Sequence, residues 1–332
     1  MIGKKERDYS VVRLLVVLIA VFAMCSILKG NMFLNVNTFR SMGKQFPEYG
    51  ILAIAMSVAL FTGGIDLSIV YTATMSSCVI ARLLPVLITE SMSTGQETMA
   101  ILLSFVIAIA IGAVCGAING TLISVVNIPP ILATLGTQSL FQGIAVVITG
   151  GSTISGFPDQ LSKIVTQDIL GIPTTVFIFA FCALLVWLIL AKTRFGYQLR
   201  MLGTNSRATT FAGLSNVSLY IRAYIMSGML AAVSGIIMIG RFNSAKADYG
   251  STYTMQSILI AVLGTMDPKG GKGSIVGVII AVVIVQMLSS WLNMYESISV
   301  FYRQIIWGAL LIVVLIINYS TDKRKMKSAA KK

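Results

Sequence analysis

Long apolar stretches separated by short polar joints dominate this sequence and limit what it can fold into. A helix that crosses a bilayer needs about 20 largely apolar residues. Ten stretches approach that length: 14–28, 49–62, 67–88, 99–119, 131–149, 174–191, 219–240, 253–267, 274–293 and 301–319. Two of them, 49–62 and 253–267, are short and run into glycine-rich breaks. Arg82 interrupts the third and is expected to snorkel or pair. The expected fold class is all-α: a polytopic membrane protein with ten spanning helices, some interrupted, in one transmembrane domain over 1–332.

Composition agrees that lipid is the main solvent. The 332 residues are 56% hydrophobic and 11% charged, where a soluble domain carries about 25% charged residues. The formal charge of +13 sits in basic residues beside apolar runs. That placement reads as membrane orientation and not as a nucleic-acid face. Histidine is absent, which removes the usual general base and the commonest metal ligand. Cys25, Cys78, Cys115 and Cys182 all lie in apolar stretches without a CxxC pair, so they read as packing residues. No metal, cofactor or catalytic group is expected.

The N-terminus has Lys4, Lys5, Arg7 and Arg13 before an apolar run, yet no small-x-small cleavage site follows. It reads as a retained first span. Basic residues also fill the loop 192–215 (Lys192, Arg194, Arg200, Arg207) and the tail 320–332. The positive-inside rule puts all three segments in the cytoplasm. Six spans precede the loop and four follow it, an even number each time, as that orientation requires. Lys29, Arg40 and Lys44 fall on the opposite side and go against the rule. No loop is long enough to form a receptor or a nucleotide-hydrolysing domain.

Two glycine-rich breaks stand out. One reads Gly63-Gly64-Ile65-Asp66-Leu67-Ser68-Ile69-Val70, the other Gly270-Gly271-Lys272-Gly273-Ser274-Ile275-Val276. Paired glycines before a new helix in both halves suggest an internal repeat, with unwound backbone near a translocation path. Such backbone must face protein or a wet cavity, because lipid cannot satisfy it. The second break is no phosphate loop: Gly-x-x-x-x-Gly-Lys-[Ser/Thr] cannot be laid on it.

Asp66 lies in apolar sequence, where a charge is costly and usually functional. It also precedes a helix start, so it reads as an N-cap; cap and substrate contact are compatible. Pro129 and Pro130 suit the start of the fifth span. Thr134, Thr137, Gln138 and Gln142 then share one helix face. Such a neutral polar stripe suits an uncharged hydroxylated substrate or hydrogen bonds between helices. In the loop, Thr204 or Asn205 can cap a short helix that Gly213 ends. Phe211 and Leu214 offer apolar knobs there, for a docking partner or for the membrane surface.

These motifs together resemble the permease family of ribose-, galactose- and xylose-type sugar ABC importers. The resemblance rests on Gly63 to Ser68, Asn119-Gly120, Pro129 to Thr137, Thr149-Gly150-Gly151 with Ile154-Ser155-Gly156, Lys192 to Gly196, Gly203-x-Asn205 through Ala212-Gly213, and Gly270 to Gly273 with Gly277. The motifs keep their order from about residue 45 to 318. The resemblance implies a multi-pass protein of the bacterial cytoplasmic membrane with both termini cytoplasmic. It implies a second permease, identical or related, a cytoplasmic ATP-binding subunit and an extracytoplasmic solute-binding protein. Transport would run by alternating access.

The candidate substrate path is then Gly63, Gly64, Asp66, Ser68, Asn119, Thr134, Thr137 and Gln138. The candidate ATPase-coupling residues are Gly203, Asn205, Arg207, Ala208, Phe211 and Gly213. The stretch Tyr253-Thr254-Met255-Gln256 departs from the family pattern and leaves the solute open among pentoses, hexoses, a furanosyl signalling molecule and nucleosides. An ion-coupled secondary transporter is the alternative, and it would need intramembrane acids. A membrane-embedded enzyme finds no nucleophile–base pair here. A scaffold would not need two broken helices.

Overall fold

A computed structural model describes residues 2–89, 92–295, 302 and 305–316. The basic tail 320–332, parts of the last expected span (301–319) and the side chains of Lys4, Lys5 and Arg7 lie outside the described residues.

The chain is helical nearly throughout. Its helices are α1 (Ile2–Phe33), α2 (Val36–Phe61), α3 (Ile69–Leu87), α4 (Thr94–Ser124), α5 (Pro130–Thr149), α6 (Asp159–Thr166), α7 (Thr174–Lys192), α8 (Arg194–Thr204), α9 (Ser206–Phe211), α10 (Asn216–Phe242), α11 (Tyr253–Leu263), α12 (Ile275–Asn293) and α13 (Ile305–Ile316). Two-residue strands β1 (Ile154–Ser155), β2 (Asp168–Ile169), β3 (Ile172–Pro173) and β4 (Ser244–Ala245) pair antiparallel, β1 with β4 and β2 with β3.

Seven helices among the described residues are long and apolar enough to cross a bilayer: Val11–Phe33 of α1, then α3, α4, α5, α7, α10 and α12. The shorter α11 and α13 stand at two further expected positions. The run expected over 49–62 is the buried half of a longer helix, because α2 also takes up Arg40, Lys44 and Glu48. Arg82 is exposed near the end of α3, so it reaches outward as expected.

Burial sorts the helices into an inner and an outer set. In the most apolar window of α10, 78% is buried within the protein, against 11% for α1. Helices α2, α3 and α10 form the centre, while α1, α4, α5 and α7 turn much of their apolar surface outward. Lipid tails are as apolar as leucine, so close packing must hold such helices together. Glycine supplies it between α4 and α10. A Cβ at Gly112 or Gly116 would strike the backbone of Gly228 or Tyr224, and one at Gly228 would strike Gly112.

Helix ends are satisfied locally. The Asn35 side chain accepts from Asn37 N–H (2.9 Å) at the start of α2. Ser93 and Gln96 form a capping box on α4. Pro47 leaves a gap inside α2, because it has no N–H for the Gly43 carbonyl one turn earlier. Thr175 of α7 fills that gap: its buried hydroxyl donates to the Gly43 carbonyl at 2.9 Å. The four cysteines are buried and unbridged.

Candidate functional site

The two glycine-rich breaks meet. Residues 62–68 join α2 to α3, and residues 264–274 join α11 to α12. The last carbonyl of α2, on Phe61, accepts from Gly271 N–H at 3.1 Å. Gly63 and Gly271 have φ of +81° and +74°, a left-handed backbone that only glycine adopts without strain. The unwound backbone therefore faces protein, as the cost of exposing it to lipid demands.

Helix α8 closes the third side of this junction. A Cβ on Gly203 would collide with the Phe61 carbonyl and with Gly271 N. The Arg200 guanidinium lies over the Phe61 ring (4.7 Å) and donates to the Gly273 carbonyl (3.4 Å). Both breaks thus sit at the end of the molecule that carries the basic loop.

Beyond the junction runs a buried chain of hydrogen bonds. Asp66 Oδ1 accepts from Ser68 N–H (3.1 Å) and from the Ser68 hydroxyl (2.7 Å). Asp66 Oδ2 accepts from Ser227 of α10 at 3.1 Å. Asn119 of α4 donates to Ser68 Oγ at 2.7 Å, and Thr137 of α5 donates to Asn119 Oδ1 at 2.6 Å. Thr134 donates to the Ile65 carbonyl at 3.0 Å. Asp66, Ser68, Asn119, Thr134, Thr137 and Ser227 are all buried. The structure thus joins seven of the eight expected path residues, since Gly63 and Gly64 lie in the same turn. Gln138 is only half-buried and stands outside this chain of bonds. The N-cap position of α3 belongs to Ser68, not Asp66; the carboxylate holds Ser68 from two residues upstream. Thr134 and Thr137 of α5 bond to the 62–68 turn and to α4, respectively.

Sequence reasoning missed a second polar cluster. Glu48, near the middle of α2, is 1% exposed. Arg241 Nη2 donates to its Oε1 at 2.7 Å, and the Tyr253 hydroxyl bonds the same oxygen. Ser234 donates to the Glu48 carbonyl at 2.7 Å. Next along, Tyr49 bonds Gln286, which donates to Ser290 at 2.8 Å. Two acids, Asp66 and Glu48, are therefore buried deep in the fold. A sequence signal existed: Ser227, Ser234 and Arg241 recur every seven residues on α10, which aligns them on one face.

The basic loop folds as its pattern predicts. Asn205 caps α9, accepting from the N–H groups of Arg207 and Ala208 (3.1 Å each). Gly213 ends the segment at φ +75°. Asn205, Arg207, Ala208, Phe211 and Gly213 are exposed, Phe211 at 92%, whereas Gly203 points inward to the junction. Asn216 of α10 ties the loop down, donating to the Ser206 carbonyl (2.8 Å) and to Thr210 Oγ1 (2.9 Å).

Fold and site together define a multi-pass helical membrane protein in which a chain of buried polar groups joins several helices. Residues 41–315 match the family described as the permease component of the branched-chain amino acid transport system, and the chain belongs to that family. It is 33% identical to the autoinducer 2 import system permease protein LsrD of Escherichia coli K12, over 85% of this chain and 84% of that protein. To the protein of that name from Yersinia enterocolitica it is 31% identical, over 87% of this chain and 86% of the relative. The fold is also that of a solved metal-chelate type ABC transporter in an inward-facing conformation. The TM-score is 0.51 at 12% identity, over 93% of this chain and 99% of that one. The expected resemblance to sugar-importer permeases fits this family, and the chain is a transport permease, not an enzyme.

Proposed function

We propose that this chain is the translocation subunit of an ATP-driven, binding-protein-dependent importer for a neutral sugar or sugar-like solute. It would work by alternating access as one of a pair, with an identical or related permease. The observation that carries the reading is the two-sided build of the 192–215 segment. Its outer side presents Phe211 and the capped α9 for a cytoplasmic ATP-binding subunit. Its inner side wedges Gly203 against both breaks. A push on α9 would therefore reach the joints of α2–α3 and α11–α12 through Asn205 and the end of α8.

In this reading the 192–215 loop and both termini face the cytoplasm of a bacterial inner membrane. The relatives named for autoinducer 2 import make that solute the first candidate. The Asp66–Ser68–Asn119–Thr137 chain would line the path once its bonds part, and Gln138 would extend it along α5. Hydroxyl and amide groups can exchange partners with a hydroxylated solute at little net cost.

The test is a pull-down of the tagged protein from its native membrane, followed by reconstitution with the partners recovered. Uptake that needs ATP, an ATPase subunit and a binding protein is the expected result. Asp66→Ala should impair uptake more than ATPase docking, and Phe211→Ala should do the reverse. Uptake driven by an ion gradient without an ATPase would sink the reading. Equal effects of both substitutions on docking would sink the division of roles.

A further inference from the structure

In the orientation proposed above, Lys29, Arg40 and Lys44 oppose the charge rule for their end of the molecule, and they lie outside both the candidate path and the 192–215 loop. That end is opposite the α8 junction, because Phe61, at the far end of α2, touches Gly203. Lys29 is accounted for by the Tyr295 ring, 4.7 Å from its ammonium. Arg40 and Lys44 differ. Arg40 Nε lies 3.3 Å from Asp168, and Lys44 Nζ lies 3.5 Å from the same carboxylate. Two cations share one acid, so one positive charge is left over. Both side chains are more than a third exposed. Among the described residues Arg40 pairs through Nε, which leaves its Nη groups for a second anion.

Directly beside Arg40 lies a cavity of about 330 Å³ between α2, the β2–β3 turn, α7 and α12. Its walls are mostly apolar, with Phe39, Met42, Phe46, Val176 and Val283 among them, and Arg40 and Gln286 are its polar side chains. In a membrane permease an apolar cavity of this size is better filled by hydrocarbon than by water. Charge above hydrocarbon is the profile of a phospholipid, and Arg is the side chain that grips phosphate at two points.

We propose that this is a phospholipid seat: the phosphodiester sits on Arg40 and Lys44, and one acyl chain enters the cavity. The seat would explain why cations are kept where the charge rule disfavours them. It would also pin the head of α2 to α7 and α12 through a molecule that is not protein.

The test is native mass spectrometry of the protein extracted in mild detergent, with Arg40→Gln, Val283→Trp and, as control, Arg82→Gln. Wild type and Arg82→Gln should each retain one phospholipid. Arg40→Gln and Val283→Trp should retain at least fivefold less. Arg40→Gln changes an exposed side chain, so a folded sample is expected even where Val283→Trp gives none. Delipidated wild type should also gain thermal stability with phosphatidylglycerol and not with inorganic phosphate. Equal retention in wild type and Arg40→Gln overturns the proposal, as does equal loss in Arg82→Gln. Equal protection by inorganic phosphate would show an ion site instead. A change of oligomeric mass without lipid loss would show a face between copies. Either result overturns the seat.

Discussion

Arg241 reaches Glu48 across 2.7 Å, tying the last turn of α10 to the middle of α2. The carboxylate is fully buried, while the guanidinium side chain keeps 20% of its surface. A half-removed buried pair leaves one charge without compensation, which costs about 3–5 kcal/mol.

Arg241→Met should therefore lower the unfolding temperature in detergent more than the double change Arg241→Met with Glu48→Gln. A coupling of about 0.5–3 kcal/mol is expected for groups in direct contact. Strictly additive losses would mean that the pair contributes nothing beyond packing.

Thr175 and Pro47 form a compensating pair of another kind. Thr175→Val leaves the Gly43 carbonyl buried without a donor, a loss of about 1–3 kcal/mol. Adding Pro47→Ala restores a backbone N–H to that turn, so the double variant should recover stability. Denaturation of both variants checks this, and a double variant weaker than Thr175→Val contradicts it.

The α4–α10 contact predicts an asymmetry among glycines. Gly116→Leu or Gly228→Leu should prevent assembly, because the added side chain meets backbone. Gly136→Ala on α5 has open space around it and should be neutral or slightly stabilising. Size-exclusion profiles of the three variants decide the point.

Ser227→Ala removes one donor to Asp66 and leaves Ser68 in place. A stability loss of about 1.5–3 kcal/mol is expected, since the lost bond reaches a carboxylate. Asn119→Leu should cost more, because it strips both Ser68 and Thr137 of a partner. Thermal unfolding of the two variants ranks them.

Much of this architecture can be read from the chain. Apolar length marks the spans, and Asn205 with Gly213 brackets α9 because caps are local chemistry. Gly63 and Gly270 announce breaks for the same reason. Contacts between distant segments are not written that way. Nothing beside Gly203 in sequence says that it rests on Phe61, and nothing near Asp66 names Ser227. Glu48 escapes notice because it lies next to Tyr49, at the edge of an apolar run that the helix in fact overshoots. Gly112, Gly116 and Gly120 recur every four residues on α4, and that they pack on α10 emerges only from the assembled bundle.

The seven-residue interval on α10 has a mechanical consequence. From three heights along α10, Ser227 engages Asp66 of the 62–68 turn, and Ser234 and Arg241 both engage Glu48 of α2. A shaft keyed in three places cannot spin about its own axis unless all the keys shear together. In the proposed transport cycle, a stroke delivered at Asn216 would reach α2 as a displacement of the whole rod and not as a twist of it.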